Sequence, residues 1–96
     1  MDNQGPVRIF LADDHPLLRM GLSLAFQAKD NIKVVGEADN GFDAIEKIKT
    51  VMPDVALLDI DMPGLSGTAA IRVLRKILPD MKILVLSTYN DEHYIR

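Results

Sequence analysis

The segment from Val55 to Gly64 reads VALLDIDMPG and is the most informative part of the sequence for the fold. Its first four residues are all apolar, which is typical of a strand buried on both faces, as the inner strands of a parallel sheet are. Asp59 follows directly, and the proline and glycine soon after it predict a loop. We therefore expect a buried parallel strand with an aspartate at its carboxyl end.

On both sides of this stretch, strand-like segments alternate with segments of helical period. Strands are predicted over 7–12, 32–38 and 82–88. Helices are predicted from Pro16 to about Asp30, from the turn at 39–41 to Pro53, and from the cap Ser66 to Leu78, with a further helix start at 91–96. Each complete helix is long enough for the crossover that parallel strands need. The order predicts an α/β domain, a doubly wound parallel sheet with helices on both faces.

Each helix carries an apolar stripe at spacings of three and four residues, which we expect to face the sheet. The stripe comprises Leu17, Met20, Gly21, Leu24, Ala25 and Ala28 in the first helix, Phe42, Ile45, Ile48 and Met52 in the second, and Ala70, Ile71, Leu74, Ile77 and Leu78 in the third. These stripes would supply the helical half of the core.

Composition narrows the class of protein. The 96 residues suffice for one small domain, and 48% of them are hydrophobic and 26% charged, as in average globular proteins. The net charge of −3, without runs of like charge, argues against a surface for nucleic acid or anionic membranes. With no cysteine, disulfides and thiolate chemistry are excluded. Neither a basic leader nor the roughly 20 apolar residues of a membrane span are found, so we expect a cytoplasmic protein without a membrane partner.

Polar side chains follow the ends of three predicted strands: Asp13 and Asp14 after the first, Asp59 after the third, and Ser87 and Thr88 at the end of the fourth. In open parallel sheets these ends meet at one rim, where ligands bind. Three carboxylates at close range need a cation, and hard oxygen ligands suit Mg²⁺. A carboxylate in such a site can accept a phosphoryl group as an acyl phosphate.

The acid pair, the run DIDMPGLSG over 59–67 and the hydroxyl at 87 together resemble the receiver domain of two-component response regulators. The segments 11–19 and 87–94 further resemble receivers that precede a LuxR/FixJ-type helix-turn-helix output domain. This resemblance implies a flavodoxin-like sheet of strand order 2-1-3-4-5. It also implies a signalling switch rather than a turnover enzyme, one that assists its own phosphorylation and dephosphorylation.

The resemblance implies a role for each site residue. Asp59 would be the phosphoacceptor, and Asp14 would be the main metal-binding acid, with Asp13 assisting through water. The main-chain carbonyl of Asp61 would complete the protein's share of the Mg²⁺ shell. Ser87 would donate its hydroxyl to the phosphoryl group, and Thr88 is the less favoured donor.

The resemblance also implies partners. A sensor histidine kinase would phosphorylate Asp59 and dock on the first helix, and a homodimer would form through the face of strand 4 and helix 4. DNA would be reached only through an output domain outside this chain. The family's fifth strand, with its phosphoryl-binding lysine, would lie beyond Arg96. We therefore expect residues 1–96 to be one receiver domain that is incomplete at its C-terminus, with strand order 2-1-3-4 and strand 4 as a bare apolar edge.

Other interpretations stay open. Asp13 and Asp14 could be helix caps, and the Asp61 side chain could be an ordinary loop acid. Asp59-Ile60-Asp61 also matches the nucleophile and general acid/base of haloacid-dehalogenase-type phosphatases, although Pro63 departs from that pattern. An interaction domain that works without phosphorylation is a third class. His15 and His93 lack metal-ligand spacing and are expected to be exposed to solvent.

Overall fold

Strands and helices alternate along the part of the chain that the structure, a computed structural model, describes, which is residues 5–86. The elements are β1 (Val7–Ala12), α1 (Pro16–Gln27), β2 (Ile32–Ala38), α2 (Gly41–Val51), β3 (Val55–Asp59), α3 (Gly67–Ile77) and β4 (Lys82–Leu86). Each matches a predicted element to within a few residues. The last two residues of predicted strand 4 and the helix start at 91–96 lie outside the described residues.

The described strands form one parallel sheet of order β2-β1-β3-β4. This is the doubly wound α/β architecture expected from the sequence. In register, Ala12 of β1 pairs with Leu58 of β3 on one side and Ala38 of β2 on the other, and Asp59 pairs with Leu86 of β4. The carboxyl ends of β1, β3 and β4 are therefore neighbours on one rim.

Two apolar clusters lie on opposite faces of the sheet. The larger joins strand residues such as Phe10 and Leu58 to Ile48 of α2 and Leu74 of α3, all fully buried. The smaller joins Ile9, Leu11 and Leu57 to partly buried residues of α1. Helices therefore cover both faces, as predicted. None of the helices described within 5–86 is long and apolar enough to cross a bilayer.

The predicted inward stripe of α1 is wrong. Leu17, Met20 and Leu24 are 82%, 57% and 62% exposed, and the helix instead packs on the sheet through Leu22 and Phe26. In this orientation the polar side chain of Arg19 also reaches partners on the sheet side. Its Nη1 donates to the main-chain carbonyl of Asp13, and its Nε donates to Glu37 Oε1 of β2 at 3.1 Å.

The stripes of α2 and α3 are buried at their centres and exposed towards their ends. Ile45, Ile48, Ala70 and Leu74 are buried as predicted, whereas Phe42, Met52 and Ile77 are exposed. Phe42 belongs to the first turn of α2, where its ring reaches over the rim towards Gly64. Met52 follows the last turn of α2 in a left-handed conformation, φ 52°, so its side chain leaves the helical stripe.

Candidate metal centre

Neighbouring strand ends position the acidic residues. Asp13 follows β1, and its main-chain N–H donates to the carbonyl of Ala38 at 3.0 Å, which ties it to the end of β2. Asp59 is the last residue of β3, and the next amide, that of Ile60, donates to the carbonyl of Leu86 in β4 at 3.2 Å. Parallel pairing of β1 with β3 then sets the two acids side by side.

The structure brings Asp13, Asp14 and Asp59 together, as the sequence predicted. Carboxylate oxygens of the three residues and a ring nitrogen of His15 all lie within 4.8 Å of one another. Asp13 and Asp59 are 1% and 0% exposed, and Asp14 is partly exposed at the mouth of the site. Three acids at the end of a hydrophobic sheet thus form one cluster, which we call the acidic cluster.

The acidic cluster has unsatisfied oxygens that face a shared space. Within residues 5–86 no group forms a hydrogen bond with Asp13 Oδ2, Asp14 Oδ1 or Asp59 Oδ2, although all three atoms are buried. Buried carboxylate oxygens without partners are costly, and a divalent cation would satisfy them together. Oxygen donors at this spacing fit Mg²⁺, which takes few protein carboxylates and keeps several waters.

Burial dominates the titration of Asp59. Loss of solvent raises the pKa of this carboxyl above its usual value of 3.8, and the negative charges of Asp13 and Asp14 raise it further. Two contacts act in the opposite direction, a main-chain hydrogen bond from the Asp61 amide to Asp59 Oδ1 at 3.1 Å and the nearby ring of His15. The Asp61 bond occupies Oδ1, and Oδ2 has no hydrogen-bond partner among the described residues.

His15 is the site residue that the sequence interpretation missed. Its side chain is 52% exposed, but its Nδ1 lies 2.9 Å from Asp13 Oδ1, 3.0 Å from Asp14 Oδ1 and 3.6 Å from Asp59 Oδ2. The ring N–H bonds Asp13, so the equally close Asp14 oxygen stays unsatisfied. The hydrogen bond to Asp13 is the main reason that the pKa of His15 is raised above 6.5. The sequence did contain a signal for this position, because His15 directly follows Asp13 and Asp14.

Glycines let the loop after β3 close over the site. A Cβ added to Gly67, the first residue of α3, would lie 2.2 Å from the carbonyl oxygen of Asp59 and 2.8 Å from Cα of Ile60. Gly64 has φ +74°, a conformation that other residues rarely adopt. Ser66 caps α3 by accepting from the amide of Ala69 at 3.2 Å.

A cleft beside Asp14 gives the acidic cluster access to solvent. Its volume is about 510 Å³, and it is lined by Asp14, Asp39, Asn40, Phe42, Pro63 and Gly64. The predicted hydroxyl donors Ser87 and Thr88 lie outside the described residues. Leu86, which precedes Ser87, pairs with Asp59 in the sheet.

Comparison with known proteins identifies the class. The family model described as "Response regulator receiver domain" matches residues 9–96, nearly the whole chain. The chain belongs to this family. Receiver domains are signalling switches rather than turnover enzymes, and they bind Mg²⁺ at an acidic pocket, so membership favours the switch over the phosphatase alternative.

The relatives that the chain is similar to include response regulators, among them a LuxR-family member. The chain is 42% identical over 92 residues to the nitrate/nitrite response regulator protein NarL of Escherichia coli (strain K12), covering 96% of this chain and 43% of that protein. It matches the receiver domain of the putative response regulator NarL from Mycobacterium tuberculosis with a TM-score of 0.85 and 39% identity, covering 94% of this chain and 73% of that one.

A LuxR-family two-component response regulator from Aurantimonas sp. SI85-9A1 matches with a TM-score of 0.84 and 27% identity, covering 95% of this chain and 65% of that one. The chain spans about two fifths of the length of the curated relatives it matches.

Proposed function

We propose that Asp59 is the phosphoacceptor of a two-component switch, which takes a phosphoryl group from the phosphohistidine of a sensor histidine kinase. The observation that carries this proposal is the buried, unpartnered Oδ2 of Asp59 beside two further carboxylates at the strand ends. Such an arrangement costs folding energy and serves no packing purpose, which is typical of a reactive site.

The two carboxylate oxygens of Asp59 have different surroundings, and this difference determines which of them would react. The Asp61 amide holds Oδ1, so Oδ2 is the oxygen that attacks phosphorus. The new P–O bond forms as the P–N bond of phosphohistidine breaks, and its electron pair returns to the leaving imidazole nitrogen. The product is an acyl phosphate on Asp59. Mg²⁺, when bound, supplies positive charge that neutralises the oxygens of the transferring group.

We assign the Mg²⁺ ligands to Asp14, Asp13 through water, Asp59 and the main-chain carbonyl of Asp61. Asp14 is the most accessible acid of the cluster, which suits an ion that keeps several waters. Ser87, or less favourably Thr88, would donate its hydroxyl to the phosphoryl group, and both residues follow Leu86 in the sequence.

The chain acts, in this proposal, as the receiver part of a longer regulator. Its relatives are more than twice as long, so an output domain that binds DNA is the expected recipient of the signal. At the edge of the described sheet, the side chains of Leu84 and Val85 are exposed, which supports further protein contacts at β4, including the expected homodimer.

Mg²⁺ is expected to stabilise the folded protein. At an Mg²⁺ concentration 100-fold above its dissociation constant, the free energy of unfolding should rise by about 2.7 kcal/mol. Asp14→Asn should remove most of this gain, because it removes a ligand charge, while Asp61→Asn should keep it, because only the Asp61 carbonyl is assigned to the ion. Urea unfolding with and without Mg²⁺ measures both. An equal loss in the two variants would contradict the ligand assignment.

In metal-free buffer, Asp59→Asn is expected to stabilise the protein at neutral pH. Because the pKa of folded Asp59 is raised, its ionisation costs stability as pH rises from the ordinary carboxyl range through the raised value. An amide has no such ionisation, so the variant should gain about 1–3 kcal/mol at neutral pH and little in strong acid. Thermal unfolding across this pH range checks it; a gain independent of pH would contradict the explanation.

Labelling with acetyl phosphate, a small phosphodonor, tests the function itself. We expect Mg²⁺-dependent incorporation of one phosphoryl group per chain, seen by intact mass and removed by hydroxylamine, as an acyl phosphate is. Continuous release of phosphate from a phosphomonoester over many turnovers would instead identify a phosphatase. No label in the presence of Mg²⁺ would contradict the phosphoacceptor proposal and favour an interaction domain that works without phosphorylation.

A further inference from the structure

On the basis of the proposed function, we propose that His15 is a further metal ligand in addition to the acidic residues, and that the acidic cluster therefore takes a divalent first-row transition ion such as Mn²⁺ in preference to Mg²⁺. The ring would contribute Nδ1, beside carboxylate oxygens of Asp13, Asp14 and Asp59.

The distances suit shared coordination. Nδ1 of His15 lies 2.9 Å from Asp13 Oδ1, 3.0 Å from Asp14 Oδ1 and 3.6 Å from Asp59 Oδ2. Ligand atoms at right angles around one ion, with bonds of about 2.0–2.2 Å, lie about 3 Å apart. The nitrogen therefore stands at the spacing of a neighbouring ligand from the Asp13 and Asp14 oxygens, and somewhat further from Asp59 Oδ2.

The backbone holds the ring at this position. The main-chain N–H of His15 donates to Asp13 Oδ1 at 2.7 Å, and the residue is the N-cap of α1, followed by Pro16 in the first turn. Proline fixes its own φ and restricts the residue before it, so the choice of backbone conformations at His15 is small. The half-exposed ring leaves a path for an ion to enter from solvent.

The unsatisfied oxygens show that the ring alone does not complete the cluster. The single N–H of the His15 ring can donate one hydrogen bond, and it donates that bond to Asp13 Oδ1. Among the described residues, nothing bonds Asp59 Oδ2 or Asp13 Oδ2, both on side chains that are almost fully buried. An ion that accepts the lone pair of Nδ1 together with these oxygens would satisfy all the donors at once.

Ligand chemistry decides which ion gains from the nitrogen. Mg²⁺ is a hard cation that prefers oxygen, so an imidazole adds little to its binding. First-row transition ions bind imidazole well, and their affinity at a mixed nitrogen and oxygen site exceeds that of Mg²⁺. The ratio of the two affinities should therefore depend on His15, whereas binding through carboxylates alone would leave it unchanged.

Electron paramagnetic resonance of bound Mn²⁺ tests the ligand directly. The protein is prepared with ¹⁵N-histidine and measured with Mn²⁺ in mildly alkaline buffer, where a directly bound imidazole gives a ¹⁵N coupling. We expect this coupling in the wild type, its loss in His15→Gln, and its retention in His93→Gln, the matched control at the chain's other histidine. The preference for Mn²⁺ over Mg²⁺, from competition titrations, should fall about tenfold in His15→Gln alone.

Absence of the nitrogen coupling in the wild type would overturn the assignment, and so would its persistence in His15→Gln or an unchanged preference for Mn²⁺. The wild-type spectrum decides without any substitution, so a folding defect of the variant does not hide the answer. If Mg²⁺ supports labelling by acetyl phosphate but no nitrogen coupling is found, the His15 inference alone fails. If neither ion binds, the proposed function fails with it.

Discussion

Asp59→Asn is expected to abolish labelling of the protein by acetyl phosphate, lowering it by more than about 100-fold. An amide oxygen is a far weaker nucleophile than a carboxylate, and the acyl phosphate cannot form without the carboxyl group. The variant should still fold, because asparagine has nearly the same shape and can still accept the hydrogen bond from the Asp61 amide. Intact mass after incubation with Mg²⁺ and acetyl phosphate gives the result.

Asp61→Asn is the matched control for this experiment. Asp61 lies two residues further along the same loop, its side chain is exposed, and its main-chain N–H and carbonyl are unchanged by the substitution. Labelling should therefore stay within about twofold of the wild type, since a surface side chain contributes little. Full labelling of Asp59→Asn, or equal loss in both variants, would show that another residue accepts the phosphoryl group or that loop charge alone controls the reaction.

Gly67→Ala is expected to lower the free energy of unfolding by about 3 kcal/mol, at the upper end of the cost of overpacking. The added Cβ would meet the Asp59 carbonyl oxygen at 2.2 Å and Ile60 Cα at 2.8 Å. Both are backbone atoms, so no side-chain rotation relieves the contact. The hydrogen bond from the Gly67 amide to the Ile60 carbonyl, 2.9 Å, holds the two segments at this distance.

Gly21→Ala provides the opposite result at another helical glycine. Gly21 lies inside α1. Apart from its chain neighbours and the backbone of its own helix, no atom of the described residues lies within 4 Å of a Cβ placed on Gly21. Alanine should therefore stabilise the helix by about 0.5–1 kcal/mol. Urea unfolding of both variants measures the contrast. If Gly67→Ala changed the free energy of unfolding by no more than Gly21→Ala does, α3 would be able to move away from β3 without a loss of stability.

The fold could be predicted because its determinants are local. Runs such as Val55 to Leu58 identify buried strands, and the helices between them leave a parallel sheet as the main solution. The orientation of α1 could not be predicted. The helix carries apolar residues on more than one side, and it is Leu22 and Phe26 that pack on the sheet, while the predicted stripe faces solvent. The sequence period alone does not choose between these two sides.

The acidic cluster could be predicted because strand ends in a parallel sheet must meet. Asp13, Asp14 and Asp59 converge for that reason. The position of His15 could not, because it depends on a rotamer and on the path of the chain between β1 and α1, neither of which has a periodic signature. The roles assigned to Ser87 and Thr88 remain predictions, since both residues lie outside the described part.

The guanidinium of Arg19 connects the exposed surface of α1 to the backbone that carries the acidic cluster. It joins α1 to the main chain of Asp13 and to Glu37 on the neighbouring strand. A protein that docks on the exposed stripe of α1 and displaces the helix would pull on the backbone that carries Asp13. Docking of a protein on α1 would thereby alter the position of Asp13 in the acidic cluster without any contact between the partner and the cluster.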